Sequence, residues 1–137
     1  MAAITFGTGV VAGAGATVFP PANSGVVTLA GQAGYVDPAD GLIKKASIGL
    51  VTADYQCGVI INSAPTAGQP NTLVTEGTVN GCTGLVQGTV YYISATQGNV
   101  CPEADLVSGN RVLPFCVALS STSVYVFKKT YFGVSRA

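Results

Sequence analysis

Hydrophobic and polar residues alternate along much of this chain with the period of two that is typical of β-strands. Clusters of Gly, Pro, Asn and Asp separate the alternating stretches and predict turns. We expect strands at Ala33–Val36, Leu42–Ile48, Cys57–Ile61, Thr72–Asn80, Thr89–Ala95, Val112–Ser120 and Ser123–Tyr131. The segment Ala46–Tyr55 lacks a capping box and is broken by Gly49, so it is not predicted to be helical. The pattern predicts an all-β fold, a compact antiparallel β-sandwich or barrel.

Residues 1–34 differ from the rest, because they are rich in Gly and Ala and carry no charge. Short β-branched patches occur at Gly9–Val11, Thr17–Phe19 and Val26–Leu29. The segment is either an irregular strand pair tucked onto the domain or an extended arm that lies on a neighbouring subunit. We divide the chain into an N-terminal arm or strand pair, 1–34, and a β-domain, 35–137. Arm residues expected at an interface are Phe6, Val10, Val11 and Phe19.

Two late strands make specific predictions about burial. In Val112–Ser120 one face looks more suitable for the core, and it comprises Leu113, Phe115, Val117 and Leu119. Pro114 cannot donate to a ladder, so this strand should lie at an edge or carry a bulge.

The strand Ser123–Tyr131 is apolar on both faces up to Lys128. Such a strand lies between two layers, either inside a sandwich or between a sheet and another subunit. We therefore add to the expected interface the aromatic residues Tyr125, Phe127, Tyr131 and Phe132. A sugar-stacking platform formed by these rings together with Tyr91 and Tyr92 is the alternative, but core or subunit contacts are favoured.

Charge is scarce, at 9% of residues, with six basic and six acidic side chains that cancel. This argues against nucleic acid as a partner, because phosphate binding needs a basic patch. A chain of zero net charge also tends to associate, which favours a subunit of an assembly. No apolar run approaches the length of a membrane helix, and the N-terminus lacks the basic region of a signal peptide. We expect synthesis in a cytoplasm and no membrane partner.

The chain offers few residues that could act in catalysis, since it has no histidine and no tryptophan. A His-based triad and a His-containing zinc site are both excluded. Asp37 and Asp40 lie in an oxygen-rich turn that could hold calcium, but an ordinary turn is favoured. We predict no catalytic residues, no metal and no cofactor, and hence that the protein is not an enzyme.

Four cysteines, Cys57, Cys82, Cys101 and Cys116, show no CxxC spacing. Buried free thiols are the favoured interpretation, and one or two disulfides are the alternative. Three connectivities are open for two bridges. A bridge between Cys82 and Cys101 would join the two ends of the region around Tyr91 and Tyr92, and it is the pairing to test.

The C-terminal half resembles a small β-domain that recurs in virion proteins of tailed bacteriophages. The resemblance rests on a GL-x-x-G-x-x-YY-x-S pattern at Gly84–Ser94, a G-x-[VI] step at Gly98–Val100 and a V-x-P-x-x-x-A-x-S strand at Val112–Ser120. With its lead-in, the resemblance spans residues 35–127. Cys116 stands where the pattern usually has Gly.

Such domains occur in capsid decoration (cement) proteins and in head or tail fibres, and they bring no catalytic residues. The resemblance therefore implies a decoration protein that binds the outside of the capsid in the virion. Its partners would be the major capsid protein and further copies of itself, as a homotrimer. The alternative is a tail or head fibre subunit, with or without glycan-binding activity as an adhesin.

Overall fold

The computed structural model describes residues 4–19, 22–49, 56–106 and 112–127. Within these ranges the chain forms β-strands and a single 3₁₀ turn, Glu103–Asp105. The strands are β1 Val11–Ala12, β2 Thr17–Val18, β3 Ala22–Asn23, β4 Ala33–Val36, β5 Ile43–Lys45, β6 Gln56–Ile60, β7 Pro70–Asn71, β8 Leu73–Asn80, β9 Val90–Ile93, β10 Val100–Pro102, β11 Pro114–Ala118 and β12 Val124–Val126. The predicted all-β class is confirmed.

The main sheet is antiparallel and curls into a half-barrel, with the strand order β10-β9-β11-β12-β8-β6-β4-β5. Its centre is the long strand β8, whose first half pairs with β6 and β2 and whose second half pairs with β12 and β1. Gly77 lies between the halves with φ at 103°. A side chain there would overlap the backbone of Ala16, so glycine permits both the bend and the close approach of the N-terminal segment.

Backbone hydrogen bonds join the two ends of the curled sheet. Ala33 at the start of β4 donates to the Gly98 carbonyl in the β9–β10 turn at 2.9 Å, and Gly98 donates to the Ala46 carbonyl at 2.8 Å. Ile48 donates to the Ser94 carbonyl at 3.1 Å. Because these bonds link the β4–β5 end to the β9–β10 end, the edges that an open sheet would expose are partly satisfied within the chain.

The described part of the N-terminal segment packs on the chain's own core. Phe6 is fully buried and stacks on Phe115, with ring centroids 6.2 Å apart and ring planes 18° apart. Its amide donates to the Gly31 carbonyl at 2.8 Å, and its carbonyl accepts from the Thr83 amide at 3.0 Å. The described residues around Phe6 therefore contact the chain's own β-domain.

The core lies on the concave side of the sheet. Its main cluster gathers inward-facing side chains from both halves of the strand order, including Val59, Val74, Tyr91, Ile93, Phe115 and Val124. A smaller cluster of Ile43, Ile60 and Leu73 lies beside it and is covered by Phe19, Ala22 and Val36. Burial of large aliphatic and aromatic side chains supplies the main stabilisation, since each contributes roughly 1.5–3 kcal/mol.

Each predicted strand position from Ala33 onward contains a strand. β4 has the predicted bounds and β6 is shifted by one residue, whereas the other observed strands are shorter than predicted; residues 128–131 of the last predicted strand lie outside the described residues. Val26–Leu29 is not a strand and contributes only an isolated bridge between Thr28 and Ala64. Strands β3, β7 and β10 were not predicted. Residues 50–55 of the disfavoured helix lie outside the described residues, and Ala46–Gly49 are not helical.

The predicted core face of Val112–Ser120 is half wrong. A register shift between Pro114 and Cys116 shows a bulge, which was one of the two alternatives expected from Pro114. The other alternative, an edge strand, is wrong, because the strand lies inside the sheet between β9 and β12. The extra residue changes the alternation. Phe115 stays buried, but beyond the bulge Cys116 and Ala118 face the core, and Val117 and Leu119 face outward.

Candidate interaction surface

The four cysteines are buried and none of them forms a disulfide, in agreement with the favoured interpretation. The bridge between Cys82 and Cys101 is not formed. Cys82 follows β8 and belongs to the main core, whereas Cys101 lies on β10, paired with Tyr92 outside that core. Strands β9, β11 and β12 separate β8 from β10 in the sheet, which leaves this pair poorly placed for disulfide geometry.

Three of these thiols, Cys82, Cys101 and Cys116, are also poor nucleophiles because their pKa values are raised. Burial raises the pKa of Cys82 to about 11, and a contact with the Val124 backbone opposes this only in part. Burial raises the pKa of Cys116 further from its ordinary value, with a smaller contribution from neighbouring Cys82. Burial and the charge of Asp105 likewise raise the pKa of Cys101. Since the thiolate is the nucleophile, these sites are suited to packing and not to covalent chemistry.

The acidic turn after β4 is an ion-paired hairpin turn. The ammonium Nζ of Lys44 lies 2.7 Å from Asp37 Oδ2 and 3.0 Å from Asp40 Oδ2. The other oxygen of each carboxylate accepts a backbone amide, from Ala39 at 2.8 Å and from Leu42 at 3.0 Å. The lysine takes the position that a calcium ion would need between the carboxylates. It also lowers the pKa of Asp37, chiefly through the hydrogen bond, while the pKa of Lys44 is raised.

The described ranges contain no enclosed pocket and no group of three or more Cys, Asp or Glu side chains that could hold a metal. In the same ranges no helix has the length and hydrophobicity needed to cross a bilayer.

The convex side of strands β9, β11, β12, β8 and β1 presents a surface with little charge, here called the apolar face. It is defined by the outward side chains Val11, Val90, Val117, Leu119, Tyr125 and Phe127, with Thr78 and Asn80 between them. Cross-strand pairs share a face of a sheet, so the strand register places these residues side by side.

The register shows two adjacent rows. In the first, Val90 pairs with Val117, Val117 with Tyr125, and Tyr125 with Thr78. In the second, the Leu119 amide donates to the Ser123 carbonyl at 2.9 Å, and Val11 pairs with Asn80. Phe127 extends the face beside Tyr125, with ring centroids 6.4 Å apart and ring planes 55° apart. Five adjacent strands therefore contribute to one continuous surface.

Several hydrophobic side chains of the apolar face are highly exposed to solvent. Val11 is 56% exposed, Leu119 46% and Tyr125 39%, and they rank among the most exposed large hydrophobic residues described. Val86, also exposed, lies beside them, because the Gly88 amide donates to the Ala118 carbonyl. The five strands contain one charged residue, Glu76, which lies two residues before Thr78 on β8 and is half-buried. A large apolar face with so little charge is characteristic of a protein contact.

The predicted interface residues divide into three groups. Val11, Tyr125 and Phe127 lie on the apolar face. Phe6 and Val10 are buried in the chain's own core, and Phe19 is half-buried against the smaller cluster, because the N-terminal segment folds back on the domain. Tyr131 and Phe132 lie outside the described residues.

Sequence reasoning missed Val117 and Leu119 as surface residues, although Pro114 was the signal that could have identified them. A bulge at that proline reverses the alternation for every residue after it. Tyr91, part of the proposed sugar platform, is fully buried, and its hydroxyl accepts the Val86 amide at 3.0 Å. It cannot stack on a sugar in this conformation.

Comparison with known proteins gives no relative: no family model, curated protein or solved structure matches the chain significantly.

Proposed function

We propose that this chain is a non-enzymatic structural subunit of a tailed-bacteriophage virion, a decoration protein that binds the outside of the capsid. The observation that carries the proposal is the apolar face, which is continuous over five strands that contain a single charged residue. A subunit that acts by contact needs such a surface and needs no cofactor. The sequence pattern at Gly84–Ser94 and Val112–Ser120 agrees with this role.

The exposed face also bears on the two-sided strand around Tyr125. Such a strand needs cover on both sides, and within the described chain only the Val124 and Val126 side is covered. Tyr125, on the other side, is left to solvent or to another protein. In the virion, its cover would come from the major capsid protein or from further copies of the chain, arranged as a homotrimer.

The test is co-sedimentation of the purified full chain with mature capsids of the phage whose genome encodes it. We expect saturable binding and a higher temperature of capsid rupture, and capsids of an unrelated phage serve as the control. Failure to bind capsids, together with binding to cell-surface glycans, would replace this proposal with a fibre or adhesin role. An apolar contact should persist in high salt, whereas an electrostatic one would weaken.

A further inference from the structure

The chain's asparagines differ in how far the fold protects their side-chain amides. Asparagine occurs at positions 23, 62, 71, 80 and 99 of the described ranges, and there only Asn80 is followed by glycine. An asparagine deamidates when the backbone nitrogen of the next residue attacks its side-chain carbonyl carbon, which makes it a thermolabile residue. Glycine as the next residue obstructs this attack least, because it has no Cβ. A hydrogen bond on the attacking nitrogen or on the asparagine side chain opposes the reaction.

Hydrogen bonds hold the nitrogen that would attack Asn23 and the one that would attack Asn99. The amide that follows Asn23 donates to the Gln69 carbonyl at 2.8 Å. The amide that follows Asn99 donates to the Ile4 carbonyl, also at 2.8 Å. Both asparagines are therefore protected by backbone pairing.

A single hydrogen bond protects two further asparagines, Asn62 and Asn71. The Thr72 amide, which follows Asn71, donates to Asn62 Oδ1 at 2.6 Å. It therefore holds the nitrogen that would attack Asn71 and the side chain of Asn62 at once. Asn62 Nδ2 in turn donates to the Pro70 carbonyl at 3.1 Å, so both ends of this side-chain amide are engaged.

Asn80 lacks this protection. Its side chain is exposed at the end of β8, and within the described residues neither that side chain nor the Gly81 amide takes part in a hydrogen bond. Asn80 pairs with Val11, which belongs to the two-residue strand β1. Since the ends of strands open most readily, Asn80 can leave the extended conformation, as the attack requires.

The fold also keeps glycine at position 81. Gly81 has φ at 76°, and a Cβ there would overlap the Gly9 carbonyl. A larger residue would slow the attack on Asn80, but it would strain the backbone and collide with the N-terminal segment. The reactive Asn-Gly pair is therefore a consequence of how the N-terminal segment packs on the end of β8.

We propose that Asn80 is a site of spontaneous deamidation in the folded chain, which converts an amide on the apolar face into a carboxylate. The Gly81 nitrogen loses its proton and bonds to Asn80 Cγ, while Nδ2 takes up a proton and leaves as ammonia. Water then opens the cyclic imide at either of its two carbonyl carbons, which gives aspartate or isoaspartate. The product lies beside Val11 and places a negative charge in the second row of the apolar face.

The experiment incubates the purified full chain at neutral pH and follows each asparagine by peptide mapping with mass spectrometry. We expect Asn80 to convert at least about tenfold faster than Asn23 or Asn62. The variant Asn80→Gln should not accumulate the acidic isoform, because the longer side chain would have to close a larger ring. Equal rates at Asn80 and Asn62 would overturn the proposal, as would conversion of Asn80 in the denatured chain but not in the native one. The map of the wild type decides this even if Asn80→Gln does not fold.

The consequence for binding rests on the proposed function. A carboxylate in a desolvated contact is costly, so Asn80→Asp should weaken capsid binding at least about tenfold. The matched control is Gln97→Glu, which makes the same amide-to-acid change at an exposed position in the β9–β10 turn, outside the five strands of the apolar face. Equal binding by these two variants would overturn the consequence for binding. Because the peptide map needs no capsid, a wild type that deamidates at Asn80 but does not bind capsids would refute the proposed function alone.

Discussion

The substitution Phe6→Ala tests whether the N-terminal segment, residues 1–34, belongs to the core of the domain or is a detachable arm. Phe6 is fully buried, stacks on Phe115 and is held by backbone hydrogen bonds to Gly31 and Thr83. Although Phe6 precedes the β-domain in sequence, the structure therefore predicts that its side chain belongs to the core of that domain. If the segment instead lies on a neighbour, the isolated domain would not depend on it.

The size of the effect follows from burial. Phe→Ala at a fully buried position typically costs about 3–5 kcal/mol, from lost transfer energy and the remaining cavity. The stacked contact with Phe115 adds roughly 0.5–1.5 kcal/mol to the loss. A domain of this size is stable by only about 5–15 kcal/mol, so the variant should lose a large share of its stability.

The assay is urea denaturation of the wild type and Phe6→Ala, followed by circular dichroism at one protein concentration. The control is Val18→Ala in the same segment, which is 42% exposed and should cost less than about 1 kcal/mol. A loss below about 1 kcal/mol for Phe6→Ala would refute the core assignment. Deletion of residues 1–34, which removes Phe6 and β1–β3, should prevent folding for the same reason.

Three further predictions concern the acidic turn, the thiols and a close backbone contact. Lys44 lowers the pKa of Asp37 in the folded chain, so the unfolded chain binds more protons near the ordinary value of 3.8. Lys44→Met should therefore lower stability at neutral pH relative to Lys45→Met, and the difference should shrink as pH falls below 3.8; a difference independent of pH in urea titrations would contradict this. Burial raises the pKa of Cys82 from 9.0 to about 11, so its thiolate fraction at about pH 8 should fall about 100-fold. All four thiols should react slowly with a disulfide reagent in the native protein and rapidly in denaturant, and rapid native labelling of Cys82 would refute its burial. A side chain at Gly31 would overlap the Gly7 carbonyl, whereas Gly41 has a similar positive φ and open space. Gly31→Ala should cost about 3 kcal/mol or more and Gly41→Ala about 1 kcal/mol, and equal losses by chemical denaturation would show that Gly7 does not lie there.

The alternation of hydrophobic and polar residues predicted the longer strands. It did not predict short strands that form only because residues distant in sequence pair with each other. β8 and β12 alternate clearly and were expected. β3 and β7 have two residues each and exist only because Ala22 meets Asn71 across the fold. β10 follows a turn and is defined by its pairing with β9. Short strands of this kind leave almost no periodic signal.

The apolar face shows the same limit in the candidate site. Alternation identified Tyr125 and Phe127 as two-sided positions, but it could not say which layer would cover them. Val117 and Leu119 were assigned to the core because the alternation was continued through Pro114 as if no bulge were present. One inserted residue exchanges the faces of a strand, so a correct strand prediction still gave the wrong surface.

Apart from Glu76 on the central strand β8, most of the few charges of the described chain lie at the ends of the sheet, and this distribution bears on the proposed function. Asp37, Asp40 and Lys44 form the ion-paired turn at the β4–β5 end, where two of the three charges are neutralised locally. Glu103 and Asp105 lie in the 3₁₀ turn after β10. A sheet with charged ends and a convex face of little charge can be buried on that face while its ends stay hydrated. Under the proposed function, low overall charge is compatible with a folded subunit, because the surface with little charge is the one that other protein would cover.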